Sequence, residues 1–195
     1  MTSPQTLPPG STIGILGGGQ LGRMTALAAA RLGYRCVVYA PEEHSLAGDV
    51  AAGHVSGAYD DKAALARFAN QVDVITYEFE NVPEAAATEC QRLKPVRPGV
   101  KSIHIAQHRR REKEFFRKLG IGTADYQPIA SEADIAAATA LPGILKTCTE
   151  GYDGKGQVRV RQRASCRHLS AHVDDPTPRC SRPSGRATPD ASTTR

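Results

Sequence analysis

The segment spanning residues 144–157 combines lysines with closely spaced glycines, a pattern suited to binding phosphate groups. A short apolar run ends in Lys146, and the loop that follows contains Lys155 and the glycines Gly151, Gly154 and Gly156. Because glycine lacks a Cβ atom, such a loop lets backbone N–H groups approach an anion closely. Residues 157–160 then alternate polar and apolar side chains, as a strand does.

The pattern predicts a hairpin whose tip folds over a phosphate-rich ligand such as a nucleoside triphosphate. An ordinary surface turn with two solvated lysines is the alternative, because the spacing is not that of the G-x-x-x-x-G-K-[ST] phosphate loop.

A second glycine cluster follows a buried-strand pattern at residues 12–16. Gly17, Gly19 and Gly22 match the G-x-G-x-x-G spacing, and Glu42 stands about 20 positions further on. Three interpretations are open. The turn can hold the pyrophosphate of a nicotinamide or flavin dinucleotide, or another phosphate such as a ribonucleotide 5′-phosphate, at the helix N-terminus. Alternatively, the glycines only allow tight packing of the strand against the helix.

Two carboxylates, Glu78 and Glu80, follow the strand predicted at residues 72–77. Ligands of open α/β sheets collect outside the carboxyl ends of the strands. We therefore expect these side chains to accept hydrogen bonds from ribose hydroxyls or an amine of a ligand. Capping of the helix that begins at Glu84 is the alternative.

The remaining patterns predict the elements that position these residues. Apolar residues recur at helical spacing after the first glycine turn, namely Leu21, Met24, Leu27, Ala28 and Leu32. Asp60 or Asp61 is expected to cap a helix over residues 62–69. Further helices are predicted over residues 100–107 and 108–119. The arginines at positions 109–111 are typical of a solvated helix face.

The region before the hairpin is predicted to contain a strand over residues 126–129. Ser131 and Asp134 form a capping pair for a helix through residue 140. The turn at residues 95–99 is predicted to end the first domain.

Composition excludes several classes of protein. The 195 residues are 40% hydrophobic, which supports a packed core, and no apolar run approaches the roughly 20 residues of a membrane helix. Residues 1–10 lack a secretory signal pattern and are expected to be a disordered lead. The five cysteines form no C-x-x-C pair, so neither a zinc site nor a disulfide framework is indicated, which favours a reducing, cytoplasmic setting.

The net charge of +5 belongs to residues 159–195, where eight arginines stand against three aspartates. The residues before them carry 17 basic and 17 acidic side chains. The body of the chain therefore offers no electrostatic basis for nucleic-acid binding.

The hairpin segment resembles the nucleotide-binding hairpin of ATP-grasp enzymes, and most of all that of the N5-carboxyaminoimidazole ribonucleotide synthetases. The resemblance rests on residues 145–147 with 151–157, on residues 15–24 and on residues 76–83, which occur in the family's order. It implies an ATP-dependent ligase that carboxylates aminoimidazole ribonucleotide with bicarbonate.

The fold that the resemblance implies is α/β, with four parts along the chain. A Rossmann-like, parallel-sheet (pre-ATP-grasp) domain would span residues 11–98, after a disordered lead at 1–10. A partial ATP-grasp small domain would span residues 99–160. A disordered basic tail would occupy residues 161–195.

The resemblance also assigns roles to residues. It implies that ATP is bound by Arg109, Lys146, Gly151, Tyr152, Asp153, Gly154, Lys155, Gly156 and Gln157. The substrate ribonucleotide would contact Gly17, Gly18, Gly19, Gln20, Leu21, Glu78 and Glu80. Three positions depart from the family's usual residues: His108 replaces an aspartate, and Cys148 and Glu150 often correspond to arginine and glycine.

Mg²⁺ is a further cofactor that the resemblance implies. Its ligands and the catalytic residues would lie in a C-terminal part that this chain lacks, so no metal-binding or catalytic residue is assigned here. Complete members of the family are expected to be homodimers, with neither nucleic acid nor a membrane as a partner.

The resemblance ends near residue 160. Residues 161–195 show no helical or strand period and too few large aliphatic side chains to offset chain entropy, so we expect disorder. Their Arg-, Pro- and Ser-rich composition is also that of a shifted reading frame, and we hypothesise a truncated enzyme with little or no activity alone. Two other hypotheses stay open: a Rossmann-type dinucleotide-binding module, and a nucleic-acid-associated protein that uses the basic tail.

Overall fold

The computed structural model describes residues 6–139, 142–151 and 155–161, and the side chains of Glu132 and Ile135 are outside the description. Two compact units are present. The first takes in described residues up to 124 together with 146–151 and 155–157, and the second contains 125–139, 142–145 and 158–161. The disorder predicted for residues 161–195 falls, from residue 162 onward, outside the described residues.

The first unit is built around a parallel α/β sheet, as predicted. Its strands are β1 (Thr12–Leu16), β2 (Arg35–Ala40), β3 (Gly53–Ser56) and β4 (Val74–Tyr77). Its helices are α1 (Gln20–Arg31), α2 (Lys62–Ala69), α3 (Glu84–Gln91), α4 (Val100–Ala106) and α5 (Arg109–Lys118), with a short 3₁₀ turn at Gly48–Val50. None of the described helices has the length and apolar character needed to cross a membrane.

The strands run in the order β3-β2-β1-β4, and all three pairings are parallel. Residue Ile13 of β1 stands opposite Cys36 of β2 on one side and Val74 of β4 on the other. This register places the carboxyl ends of β1 and β4 at one edge of the sheet, so that the glycine turn after β1 lies beside Glu78.

Aliphatic and aromatic side chains fill the space between the sheet and its helices. Leu16, Tyr39, Phe68 and Ile75 are fully buried in one cluster, where the rings of Tyr39 and Phe68 have centroids 5.4 Å apart. Burial of these side chains, at about 25 cal/mol per Å² of apolar surface, is the main stabilising term of the unit.

Helix α1 buries its small residues and exposes its large ones. The helical spacing of the large apolar residues would instead suggest that these face the core. Gly22, Ala26 and Ala29 face the sheet. The exposed fractions of Leu21, Met24 and Leu27 are 56%, 58% and 47%. Small side chains on the buried face let the helix axis approach the sheet closely, which turns the larger ones toward solvent.

We expect Leu27→Gln to leave the free energy of unfolding within about 0.5 kcal/mol of the original value, because the side chain is already in contact with water. The matched change Leu16→Ala, at a fully buried position of β1, should cost about 2–5 kcal/mol. Urea unfolding followed by circular dichroism measures both. A large loss of stability in Leu27→Gln would show that the outer face of α1 is packed.

Two local predictions are confirmed. Asp61 caps α2 by accepting a hydrogen bond from the Ala64 N–H at 2.9 Å. The Ser131 hydroxyl donates to Asp134 at 2.9 Å and accepts from the Asp134 N–H at 3.2 Å, as a capping pair does.

Two other local features differ from the prediction. Residues 126–129 form no strand: Pro128 has no N–H to offer a ladder, and the Gln127 side chain instead accepts from the Thr139 N–H at 3.1 Å. The helix after Ser131, α6, spans Glu132–Ala136 and ends four residues early. Within the predicted lead, the Leu7 carbonyl accepts from the Tyr34 hydroxyl at 2.9 Å and the Gly10 N–H donates to the Gly33 carbonyl at 2.7 Å, and the disorder of residues 1–10 stays a prediction.

Two strands form the predicted hairpin, β5 (Gly143–Lys146) and β6 (Gln157–Val160), which pair in a two-stranded sheet. The parallel sheet, with helices between its strands, is the α/β class expected from the sequence. The domain boundary at residue 98 stays a prediction.

Candidate nucleotide-binding site

The base of the hairpin loop is closed by backbone bonds and by glycine. The Thr147 N–H donates to the Gly156 carbonyl at 2.8 Å. Gly156 has a φ of +65°, a backbone conformation that is strained for residues with a side chain. A Cβ atom at this position would also stand 2.5 Å from the Thr147 hydroxyl oxygen. This hydroxyl is buried without a hydrogen-bond partner among the described residues. Glycine is therefore required at position 156 by both backbone conformation and space.

Arg109 holds this loop at three points. Its backbone N–H donates to the Cys148 carbonyl at 2.9 Å, and its Nε donates to the Thr147 carbonyl at 3.1 Å. Its Nη2 donates to the Gly151 carbonyl. A planar guanidinium presents several donors in a fixed fork, so one side chain can fix two carbonyls of a loop at once.

Helix α5 begins at Arg109, and both α5 and the residues just before it are bonded to neighbouring parts of the chain. The Gln107 side chain just before it donates to the Val82 carbonyl at 2.6 Å. Arg111 donates from Nη1 to the His104 carbonyl at 2.9 Å, and His104 Nδ1 lies 2.8 Å from a carboxylate oxygen of Glu84. The arginine face is thus not simply solvated, because two of its three members bind backbone carbonyls.

The other residues predicted to bind ATP are placed in part. Lys146 ends β5 and is exposed. Lys155 and Gln157 are exposed at the far end of the loop. Tyr152, Asp153 and Gly154 lie outside the described residues.

The glycine turn after β1 holds a carboxylate of the chain itself. Glu78, directly after β4, accepts from the Gly19 N–H at 2.9 Å and from the Gly22 N–H at 2.7 Å. These backbone N–H groups at the start of α1 are the hydrogen-bond donors that the sequence analysis predicted to bind a phosphate. Sequence reasoning placed Glu78 at this edge but missed its bonding to the turn, since the spacing of the glycines does not identify the anion.

The remaining residues predicted to bind the ribonucleotide surround this turn. Gly18 packs closely beside Ser45 and Ala40. A Cβ atom at Gly18 would stand 2.5 Å from the Ser45 Cβ and 2.8 Å from the Ala40 Cβ. Gln20 and Leu21 open α1 and are exposed, and Glu80 is exposed as well. Burial and the charges of Glu78 and Glu42 raise the pKa of the nearby Tyr59 to about 12, so its hydroxyl stays protonated.

His108, the residue that replaces the family's aspartate, caps α5 without forming a side-chain hydrogen bond. Its Nδ1 is buried and unpartnered among the described residues. Burial first, and then the Arg111 charge, lower the pKa of His108 from its ordinary 6.5.

We expect His108→Asp to stabilise the chain by about 1 kcal/mol at pH 7, because an aspartate accepts from the free N–H groups of a helix start. The unfolded chain binds a proton at this histidine more readily than the folded chain does. Stability therefore falls as the pH drops through 6.5, and the variant should lose this part of the pH dependence. Unfolding curves between pH 7.5 and 5.5 test both points; a variant that is less stable at pH 7 would contradict the cap.

The described residues contain no group of three or more His, Cys, Asp or Glu side chains that could hold a metal ion. Cys36 and Cys90 are buried free thiols, and burial raises the pKa of Cys90 to about 12, so it stays protonated. A metal ion held by three or more such side chains therefore has no site in this part of the chain.

A surface depression of about 640 Å³ lies away from both glycine loops. Its basic lining residues are Arg92, Lys94, Arg97 and Lys101. Arg92 is already paired with Glu89 at 2.8 Å. None of the residues predicted to bind ATP or the ribonucleotide lines it, so the nucleotide prediction depends on the hairpin and not on this depression.

Family models match this chain in two places. The ribonucleotide synthetase pre-ATP-grasp domain matches residues 11–107, and the ATP-grasp domain matches residues 114–178. Together with the parallel sheet and the arginine-anchored hairpin, these matches define the class as ATP-grasp ribonucleotide synthetases.

Relatives narrow the class further. N5-carboxyaminoimidazole ribonucleotide synthases of Brucella melitensis and Pseudomonas aeruginosa are 48% and 43% identical over 80% and 83% of this chain. A crystal structure of the enzyme from Aspergillus clavatus with ADP and 5-aminoimidazole ribonucleotide superimposes with a TM-score of 0.75 at 29% identity, covering 86% of this chain and 45% of that one. The chain belongs to the N5-carboxyaminoimidazole ribonucleotide synthetase family.

The chain spans less than half the length of these curated relatives, covering 44% of the Brucella protein and 45% of the Pseudomonas protein.

Proposed function

We propose that this chain supplies the nucleotide-phosphate hairpin and part of the ribonucleotide pocket of an ATP-dependent ligase. In the complete reaction, ATP would phosphorylate bicarbonate to carboxyphosphate with release of ADP. The amine of aminoimidazole ribonucleotide would then attack the carboxyl carbon, and phosphate would leave. The product would be N5-carboxyaminoimidazole ribonucleotide, an intermediate of purine biosynthesis.

The observation that carries the proposal is the hairpin loop fixed by Arg109. The described part of the loop is held at the Thr147 and Gly151 carbonyls before ligand arrives, so less conformational entropy of these residues is lost on binding. Lys146 and Lys155 add positive charge beside it. Gly151, Gly156 and Gln157 are proposed to contact ATP as well, together with Tyr152, Asp153 and Gly154.

Glu78 and Glu80 are the residues proposed to face the ribonucleotide, with the loop formed by Gly17–Leu21. A carboxylate has about four acceptor positions, and the two bonds from Gly19 and Gly22 occupy two of those of Glu78. The other two are available to ribose hydroxyls or the amine.

Mg²⁺ would neutralise phosphate charge during transfer. Its ligands are proposed to include residues from a further part of the complete enzyme, because the described residues hold no cluster of three or more His, Cys, Asp or Glu side chains. We also propose that the complete enzyme is a cytoplasmic homodimer, a location supported by the free cysteines, and that its partners are small molecules.

A fusion tests the proposal. Residues 1–160 of this chain would be joined to the C-terminal half of the Pseudomonas relative, and ADP release would be assayed with ATP, bicarbonate and aminoimidazole ribonucleotide. We expect turnover by the fusion that depends on the ribonucleotide, and little or none by the 195-residue chain. A folded fusion without such turnover, or robust turnover by the chain alone, would contradict the proposal.

A further inference from the structure

The start of α1 lacks any capping group of its own. Gly19 at the N-cap has no side chain, and the first turn of the helix contains no acidic residue. A helix leaves its first N–H groups without partners inside the helix, and these groups attract anions. Glu78, which is 59 and 56 positions from the two glycines it binds, supplies the missing acceptor.

The glycines of the motif fit around this carboxylate. A Cβ atom at Gly17 would stand 2.5 Å from Glu78 Cγ, and one at Gly19 or Gly22 would stand 2.8 Å from a Glu78 carboxylate oxygen. Any side chain at these three positions would therefore collide with Glu78. The G-x-G-x-x-G spacing is explained by close approach of the protein's own anion, without a bound dinucleotide.

The carboxylate also opposes a second anion in the same place. A phosphate that binds at this turn would have to displace the Glu78 carboxylate from both N–H groups. Otherwise it would be repelled by the negative charge of that carboxylate at close range. Within the described part of the chain, no lysine or arginine forms an ion pair with Glu78 that would neutralise it.

We infer that Glu78 is a specificity-determining residue that occupies the glycine turn as a resident anion and closes it to phosphate groups. The phosphates of a nucleotide or dinucleotide are thereby excluded from the first βα turn and directed elsewhere. The inference concerns this turn alone, so it stands or falls independently of the proposed ligase activity.

The test is chemical rescue in the full chain. Glu78→Ala should lower the melting temperature by about 5 °C, because two N–H groups lose a charged acceptor. Sodium acetate or sodium phosphate, each compared with sodium chloride at equal ionic strength, should restore more than half of this loss by filling the vacated turn. Glu80→Ala, which removes an exposed carboxylate two residues away, should melt as the original chain does and show no rescue.

Two results would overturn the inference. One is a melting temperature for Glu78→Ala that equals that of Glu80→Ala and does not respond to acetate or phosphate. The other is a phosphate-dependent rise in the original chain as large as that in Glu78→Ala, since the turn would then be open to phosphate with Glu78 present.

A second variant keeps the test decisive if Glu78→Ala does not fold. Glu78→Gln retains the shape and one acceptor oxygen, so it should fold, melt below Glu80→Gln and show no anion rescue because the turn stays filled. Equal melting of Glu78→Gln and Glu80→Gln would overturn the inference as well.

Discussion

Replacing Arg109 by alanine is expected to raise the dissociation constant for ADP at least tenfold. The variant loses both guanidinium bonds to the loop, at Thr147 and Gly151. Hydrogen bonds from charged groups contribute about 1.5–3 kcal/mol each, and a tenfold change in affinity corresponds to about 1.4 kcal/mol. Isothermal titration of the purified chain with ADP measures the effect.

Two further variants show whether the loss of ADP affinity comes from the charge of Arg109 or from its bonds to the loop. Arg109→Lys keeps the positive charge but cannot reach both carbonyls with one ammonium group, so it should recover little affinity. Arg110→Ala removes the neighbouring exposed arginine, which pairs with Glu114 on the same helix, and should bind ADP as the original chain does. Full recovery by Arg109→Lys would show that charge, and not the hold on the loop, is what matters.

Replacing Gly156 by alanine is expected to weaken ADP binding about tenfold while leaving the α/β sheet folded. The new Cβ would meet the Thr147 hydroxyl at 2.5 Å and the Gly151 Cα at 3.3 Å, and the backbone φ of +65° adds strain. Strain of this kind costs about 1–3 kcal/mol, and the loop relieves it by changing shape.

Gly120→Ala is the matched control for this change. Gly120 also has a positive φ, +74°, but a Cβ atom there would meet no atom within 4 Å. The control should lose stability from backbone strain alone and keep its ADP affinity. Equal affinity losses in the two variants would contradict a specific role for the loop.

The sheet and the helix caps were predictable because they depend on local patterns. A buried apolar run identifies β1, and a carboxylate three residues before a free N–H identifies the Asp61 cap of α2. The outer face of α1 was not predictable in this way. Periodicity shows that Leu21, Met24 and Leu27 share a face, but whether that face or the small-residue face meets the sheet depends on how closely the helix packs.

Which residues form the candidate site could be predicted from the sequence, but which hydrogen bonds join them could not. The glycine loops and Glu78 were identified from the residues themselves, and Arg109 was assigned through the family resemblance. Which donor meets which acceptor depends on pairings across 38 to 59 positions of chain, such as Arg109 with Thr147 and Glu78 with Gly19. No short-range pattern records such pairings, so Arg109 was expected to contact ATP and its hold on the loop was missed. Its contact with ATP stays a prediction.

A titration of the ¹⁵N-labelled chain with ADP, followed by amide NMR, tests most directly that nucleotide phosphates bind at the hairpin. We predict shifts of the Gly151 and Gly156 amide signals that saturate with ADP, while the Gly19 and Gly22 signals stay in place. Saturating shifts at Gly19 and Gly22 with a silent hairpin would contradict the account.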